Sequence, residues 1–154
     1  ILLKKILLLL LIGFITACTS NTTQLDLTTW GEEEVYDFLN KVQENIRKLP
    51  TETNSINHII EQYELFFSPE LSKKIVDSLY EKTGDVWRVP EGDAGYIFFV
   101  LGKGSEDNEV TIEYSKEYIK IKETYESGMF KEIEFTIRII DKKPKITEWK
   151  RVFD

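Results

Sequence analysis

The sequence has very little cysteine or histidine, with one of each, Cys18 and His58, in 154 residues. Without a second cysteine the chain cannot form an intramolecular disulfide. A structural zinc site takes about four Cys or His ligands, so a zinc site of the usual type is excluded as well. His58 flanks an apolar helical stripe instead of joining it, which predicts a solvent-facing position and not a catalytic base.

An apolar run long enough to cross a bilayer is also missing, since a spanning helix needs about 18 or more residues. The run from Ile6 to Ala17 is uncharged and almost wholly apolar, but it is only about a dozen residues long. It follows Lys4 and Lys5, and this order of a positive segment and a short apolar segment is typical of a secretory signal. We therefore predict a signal peptide over residues 1–17.

Small residues directly precede the single cysteine in Ile15-Thr16-Ala17-Cys18. This segment resembles the lipobox of bacterial lipoproteins. The resemblance implies that the Cys18 thiol is diacylated, with palmitate as a typical acyl group, and that residues 1–17 are removed. It also implies an extracytoplasmic protein of the cell envelope, with the lipid bilayer as a partner through acylated Cys18. One acyl chain binds a membrane only marginally, whereas two or three hold a protein there stably.

Residues 18–29 contain the lipidated cysteine and a segment rich in threonine, serine and asparagine. This composition predicts a flexible tether. The remaining residues, 30–154, suit one domain with a single core. The whole sequence has 27 acidic and 20 basic residues, a net charge of −7. An anionic domain is repelled by phosphates, which argues against a nucleic-acid partner.

Helical periodicity marks three segments in the first half of the domain. Thr29 and Glu32 have capping-box spacing before the first helix, which Pro50 ends. Ser68 and Pro69 suit the N-cap and first residue of the third helix, which Gly84 is expected to end. The apolar positions of the three helices are Val35, Phe38, Leu39, Val42, Ile46 and Leu49; Ile56, Ile59, Ile60, Tyr63 and Phe67; and Leu71, Ile75 and Leu79.

The period then changes to two, which predicts β-strands. Tyr96–Leu101 reads as a strand buried on both faces, and the clearest half-buried strand alternates from Ile133 to Ile139. The short gaps between strands, such as Ser127-Gly128, imply an antiparallel meander. Further strands are expected at Val110, Ile112 and Tyr114, at Ile119 and Ile121, where Glu123 is grouped with the polar Lys120 and Lys122, and at Ile146–Phe153. The outer face of this meander is expected to be a solvated stripe of mixed charge, made of Glu113, Lys120, Lys122, Glu132, Glu134 and Arg138.

Two or three helices followed by a curved antiparallel meander resemble the NTF2-like superfamily of cone-shaped α+β domains. The segment Tyr63–Leu71 looks like the joint between the early helices of such domains, and Ile146–Lys150 looks like their terminal strand. Such folds carry diverse functions, so the resemblance implies a shape and not an activity. A second resemblance, to secreted inhibitors of cell-wall endopeptidases, has no specific motif.

The segment from Asp85 to Tyr96 joins the last predicted helix to the sheet, where the mouth of such a cone lies. Paired carboxylates at a cone mouth serve as acid and base only if burial separates their pKa values. The alternative is a structured loop in which the tryptophan fills the core and the arginine pairs with a carboxylate. The residues of this possible pocket mouth are Trp87, Arg88, Glu91, Asp93 and Tyr96.

Together these features predict a membrane-anchored lipoprotein with a non-catalytic binding domain, no metal and no cofactor, and an envelope protein or a small ligand as its unidentified partner. Two alternatives stay open: a small cone-pocket hydrolase or isomerase, and a protein inhibitor of cell-wall hydrolases. A buried carboxyl with a strongly raised pKa in a deep pocket favours the enzyme, whereas a cone filled by aromatic side chains favours the binding domain.

The anchor is tested by substituting Cys18 with alanine. Cys18→Ala removes the thiol that is expected to be acylated, so the variant should incorporate no labelled palmitate in bacterial cells. Incorporation is measured by gel fluorography beside the wild type. Label that persists in the variant would contradict the prediction.

Overall fold

The computed structural model describes residues 26–90, 108–126 and 130–153. Within these ranges the chain has three α-helices and two antiparallel sheets, which confirms the predicted α+β class. Cys18, the strand expected at Tyr96–Leu101 and the turn at Ser127-Gly128 lie outside the described residues. None of the helices in the described ranges is both long and apolar enough to span a bilayer.

The first helix, α1, spans Glu32–Ile46. Its N-cap is Gly31, whose N–H donates to Glu34 Oε2 at 2.8 Å. The predicted capping pair of Thr29 and Glu32 is therefore wrong: Leu27–Thr29 form a short 3₁₀ turn, in which the Thr29 hydroxyl bonds the Asp26 carbonyl at 2.8 Å. The apolar stripe is confirmed at the buried residues Val35, Phe38, Leu39 and Val42. The predicted end at Pro50 is wrong, because α1 ends at Ile46 and Leu49 lies beyond the helix, partly buried against the core.

Helices α2, Ile56–Glu64, and α3, Pro69–Leu79, are joined by a short segment that docks on the sheet. Phe67 forms a parallel bridge with Ile146, with N–O distances of 2.9 Å from Ser68 to Ile146 and 2.8 Å from Ile146 to Phe66. The Ser68 hydroxyl then accepts the Leu71 N–H at 3.4 Å. The predicted N-cap and first residue of α3 are confirmed.

A small sheet combines two strands that follow α3, where the sequence predicted only the end of a helix and a loop, with a short strand that precedes α2. Its strands are β1 (Glu52–Thr53), β2 (Glu81–Thr83) and β3 (Val86–Arg88), in the order β1-β3-β2. The expectation that α3 ends at Gly84 is wrong, since α3 ends at Leu79. Gly84 instead has a φ of +63° in the tight turn between β2 and β3, a conformation that glycine adopts without strain.

The larger sheet is the predicted antiparallel meander, in the order β4-β5-β6-β7. Asp141 and Lys142, both with positive φ, make the two-residue turn between β6 and β7, as hairpins of this length require. The strands are β4 (Asn108–Tyr114), β5 (Ile119–Tyr125), β6 (Phe130–Ile140) and β7 (Lys143–Phe153).

The two faces of this sheet differ in character. One face carries Ile133, Phe135 and Ile137 into a core shared with Phe38 and Val42 of α1. The opposite face carries cross-strand ion pairs, which confirms the expected charged face: Lys122–Glu132, Lys120–Glu134, Lys150–Glu134 and Arg138–Glu148.

Adjacent residues of β6 test this assignment of faces. Phe135 is fully buried, so Phe135→Ala should lower the free energy of unfolding by about 3–5 kcal/mol, as in other packed cores. Glu134→Ala removes only partly exposed ion pairs with Lys120 and Lys150 and should cost less than about 1 kcal/mol. Urea denaturation of both variants gives the comparison. Equal losses would mean that the faces are assigned the wrong way round.

Candidate functional site

Two residues of the predicted pocket mouth lie on β3 and have structural contacts. Arg88 Nε is 3.1 Å from Glu52 Oε2 on the neighbouring strand β1, with more than half of each side chain exposed. Trp87 packs against the edge of the core, and Lys82 Nζ lies 6.0 Å from its ring centre. Glu91, Asp93 and Tyr96 lie outside the described residues. In the described part of the chain, the carboxylates placed nearest this mouth by the register are Glu52 and Glu81, the partners of Arg88 on the two neighbouring strands.

Glu123, on β5, is the feature that the sequence analysis missed. Its side chain is 0% exposed, which is unusual for a carboxyl group. It points to the core face, like Ile121 two residues before it and Ile119 four residues before it. The period of two therefore continues through Glu123, and this alternation was the signal available in the sequence.

The neighbours of Glu123 across the sheet are apolar. Val110 of β4 and Ile133 of β6 are its Cα partners, so the carboxyl sits in a row of aliphatic side chains. Burying an ionised group in such surroundings is costly unless the group is paired and hydrogen-bonded. The hydrogen-bond partners of the Glu123 carboxyl therefore define this site.

One oxygen of the carboxyl is satisfied by a tyrosine on the same strand. The Tyr125 hydroxyl donates to Glu123 Oε2, and the side chain of Asn108 hydrogen-bonds that hydroxyl in turn. Asn108 of β4 is the Cα partner of Tyr125, so the register of the two strands places the Asn108 side chain beside the Tyr125 hydroxyl that bonds Glu123. The other oxygen, Oε1, is buried and has no hydrogen-bond partner among the described residues.

This environment changes the acidity of both groups. Burial raises the pKa of Glu123 to about 7, although the hydrogen bond from Tyr125 favours the ionised form. The pKa of Tyr125 is raised mainly by burial and, to a smaller extent, by its hydrogen bond to Glu123. The Tyr125 hydroxyl therefore stays neutral and donates to the carboxyl. Near neutral pH the Glu123 carboxyl can hold or release a proton, which suits it to proton transfer or to binding a ligand.

Tyr36 of α1 extends the site toward the surface. Burial raises the pKa of its hydroxyl, and Glu32, Glu123 and Tyr114 lie near enough to raise it further. Tyr36 is half-buried, whereas Tyr114, at the end of β4, is 45% exposed. We call Tyr36, Tyr114, Glu123 and Tyr125 the acid–tyrosine cluster; it runs from a buried carboxyl to an exposed ring.

A concavity lies between the end of α1 and α2, away from this cluster. Its volume is about 420 Å³, and it is lined by Lys41, Glu44, Asn45, Lys48, Leu49, Pro50, His58 and Gln62. The His58 side chain is 63% exposed, which confirms its predicted solvent-facing position, and its Nδ1 lies 3.9 Å from Glu61 Oε2. This groove has mixed charges on exposed side chains and no buried polar group that calls for a ligand. In the described ranges no cluster of three or more His, Cys, Asp or Glu side chains is arranged to hold a metal ion.

Comparison of the chain with protein-family models, with curated proteins and with solved structures found no match.

The raised pKa of Glu123 predicts how stability depends on pH. The native carboxyl holds its proton up to about pH 7, whereas the unfolded one releases it at its ordinary value of 4.5. Stability from this group is therefore complete below about pH 4.5, decreases as the pH rises to about 7, and is then constant. The total loss is about 3 kcal/mol, at 1.36 kcal/mol for each pKa unit.

Glu123→Gln isolates this contribution, because glutamine does not titrate. Urea denaturation between pH 4.5 and pH 8 should show the wild type losing stability relative to the variant by about 3 kcal/mol. Glu134→Gln, on the opposite face of the sheet, controls for a general change in charge. A difference between wild type and Glu123→Gln that does not change with pH would contradict the prediction.

Proposed function

We propose that this protein is a lipid-anchored lipoprotein of the cell envelope whose NTF2-like domain binds a small ligand without transforming it. The anchor is supported by the sequence: a positive segment, a short apolar run and small residues before Cys18. The NTF2-like assignment is supported by three helices packed on an antiparallel meander and by the joint that connects α2 to α3.

The observation that carries the binding function is the unpartnered oxygen of the fully buried Glu123. A buried polar atom without a partner costs about 1–3 kcal/mol, and more when the group is charged. A ligand that donates a hydrogen bond to Oε1 would recover this energy. The cost is thus tolerable in a protein that spends part of its time with the ligand bound.

The competing function is that of a small hydrolase or isomerase, and one observation favours it. A carboxyl with a pKa of about 7 is suited to act as a general acid or base at neutral pH. Against this, the adjacent residues on the core face are Val110, Ile121 and Ile133, which provide no nucleophile, and Tyr125, whose hydroxyl is already hydrogen-bonded to Glu123. The described residues therefore support binding better than catalysis.

Ligand retention tests the proposal. The wild-type protein, solubilised from membranes in a mild detergent and analysed by native mass spectrometry, should carry a small molecule that Glu123→Gln loses at least tenfold. Glu134→Gln should retain it like the wild type, because its side chain lies on the opposite face of the sheet. The released molecule should keep both its mass and its NMR spectrum after prolonged incubation with the protein. A molecule converted to a new mass or to an isomer with a new spectrum would identify an enzyme, and the absence of any Glu123-dependent molecule would refute the binding function.

A further inference from the structure

The acid–tyrosine cluster is unusual in the sign of its charges. The charged groups that shift the pKa of Tyr36 and Tyr114 are all carboxyls: Glu32, Glu34 and Glu123. Tyr125 adds a hydroxyl whose hydrogen bond is already given to Glu123. The cluster thus combines negative charge with three aromatic rings, a combination that disfavours anionic ligands.

Carboxylates near the start of α1 alone would not indicate a ligand. Glu32, Glu33 and Glu34 lie in the first turn of that helix, where its dipole stabilises negative charge, and Glu34 already accepts the Gly31 N–H. Glu123 is different, because it lies on a strand, is completely buried and has an oxygen without a partner. That oxygen requires a hydrogen-bond donor.

We propose that the acid–tyrosine cluster binds a ligand through a protonated amine, with Glu123 Oε1 accepting an N–H of the ammonium group and the rings of Tyr36 and Tyr125 nearby. This proposal rests on the proposed binding function and names its ligand class. An ammonium group supplies the missing donor and neutralises the buried charge in one contact. Tyrosine rings contribute further, since their faces attract cations.

Several groups around Glu123 determine how its charge responds to the ligand. Tyr36 of α1, which also lies near Glu32, faces it, and Tyr125 and Asn108 lie on its own side of the sheet. Arg151 of β7 lies in the same row beyond Ile133, with its backbone about 10 Å from that of Glu123 by the spacing of strands, and its guanidinium stacks 4.3 Å from the Trp149 ring centre. A bound ammonium would place a positive charge in direct contact with the Glu123 carboxyl, which favours the ionised carboxylate and release of the carboxyl proton.

This linkage gives the proposal a pH dependence. Only the ionised carboxylate attracts the ammonium, and for a pKa of about 7 the ionised fraction increases about tenfold from pH 6 to pH 8. The affinity should increase by the same factor. A neutral ligand held by hydrogen bonds alone should show the opposite dependence or none.

The test is an NMR titration of the full chain in a nonionic detergent, with the tyrosines labelled with ¹³C at the ring carbon that bears the hydroxyl. Methylammonium chloride should shift the Tyr36 and Tyr125 signals saturably, about tenfold more tightly at pH 8 than at pH 6. Tyr36→Phe and Tyr125→Phe assign the signals. Tyr63, buried among the helices beside Phe67, is the internal control and should not move.

Matched probes and variants separate the cation from its alternatives. Tetramethylammonium, which has no N–H to donate, should bind more weakly than methylammonium, and neutral ethanol and potassium chloride should not produce the shift. Glu123→Gln should weaken methylammonium binding at least tenfold, whereas Glu134→Gln should not change it. Equal binding to Glu123→Gln, or equal shifts with ethanol, would overturn the proposal.

A negative titration can also be distinguished from failure of the broader function. If methylammonium produces no saturable shift while the purified protein still retains a Glu123-dependent molecule, the cation site is overturned and the binding function stands. If neither is seen, both proposals are wrong.

Discussion

The helical and sheet halves of this domain are joined through Ile146. Its carbonyl accepts the Ser68 N–H and its N–H donates to the Phe66 carbonyl, which makes the segment between α2 and α3 a short parallel partner of β7. The Lys145 ammonium adds a bond to the Glu64 carbonyl at the end of α2. Since these contacts join residues about 80 positions apart in sequence, they fix the direction in which both helices leave the sheet.

This attachment also determines which side chains form the core. Phe67, held between the two backbone bonds, is completely buried, and its ring lies 5.7 Å from that of Tyr63. Ser68 is placed at the same time to cap α3. The core face of β5 and β6 then packs in one cluster with the apolar stripe of α1. Glu123 is buried because the residues beside it on that face belong to this cluster.

At the acid–tyrosine cluster the preference of a carboxyl group for water conflicts with the burial that the fold imposes on it. A glutamate in a row of valine and isoleucine residues lowers stability at neutral pH, and the Tyr125 hydroxyl satisfies only half of its carboxyl. Such disagreements are concentrated at functional sites in other proteins. The exposed groove near His58 shows no comparable conflict, which is why the functional proposals are placed at Glu123.

Elements with a strong local signal were predictable from the sequence. The alternation along β6 identified its core face, and Ser68-Pro69 identified the start of α3, because both depend on neighbours within a few residues. Local signals failed where two similar choices compete. Glu34 and Gly31 form the cap instead of Glu32 and Thr29, and Gly84 serves a hairpin turn instead of the end of α3.

The sequence by itself determined the class of fold, the position of most helices and strands, and the features that predict an anchor at Cys18, since each depends on composition or short-range period. Only the tertiary structure decided that the Glu123 side chain is buried. The same alternation places a side chain on the core face whether or not that face is covered, and the burial comes from what packs on that face, with Tyr36 of α1 near the carboxyl. The pKa of about 7 and the missing partner of Oε1 follow from that enclosure and from the register that brings Tyr125 beside Asn108.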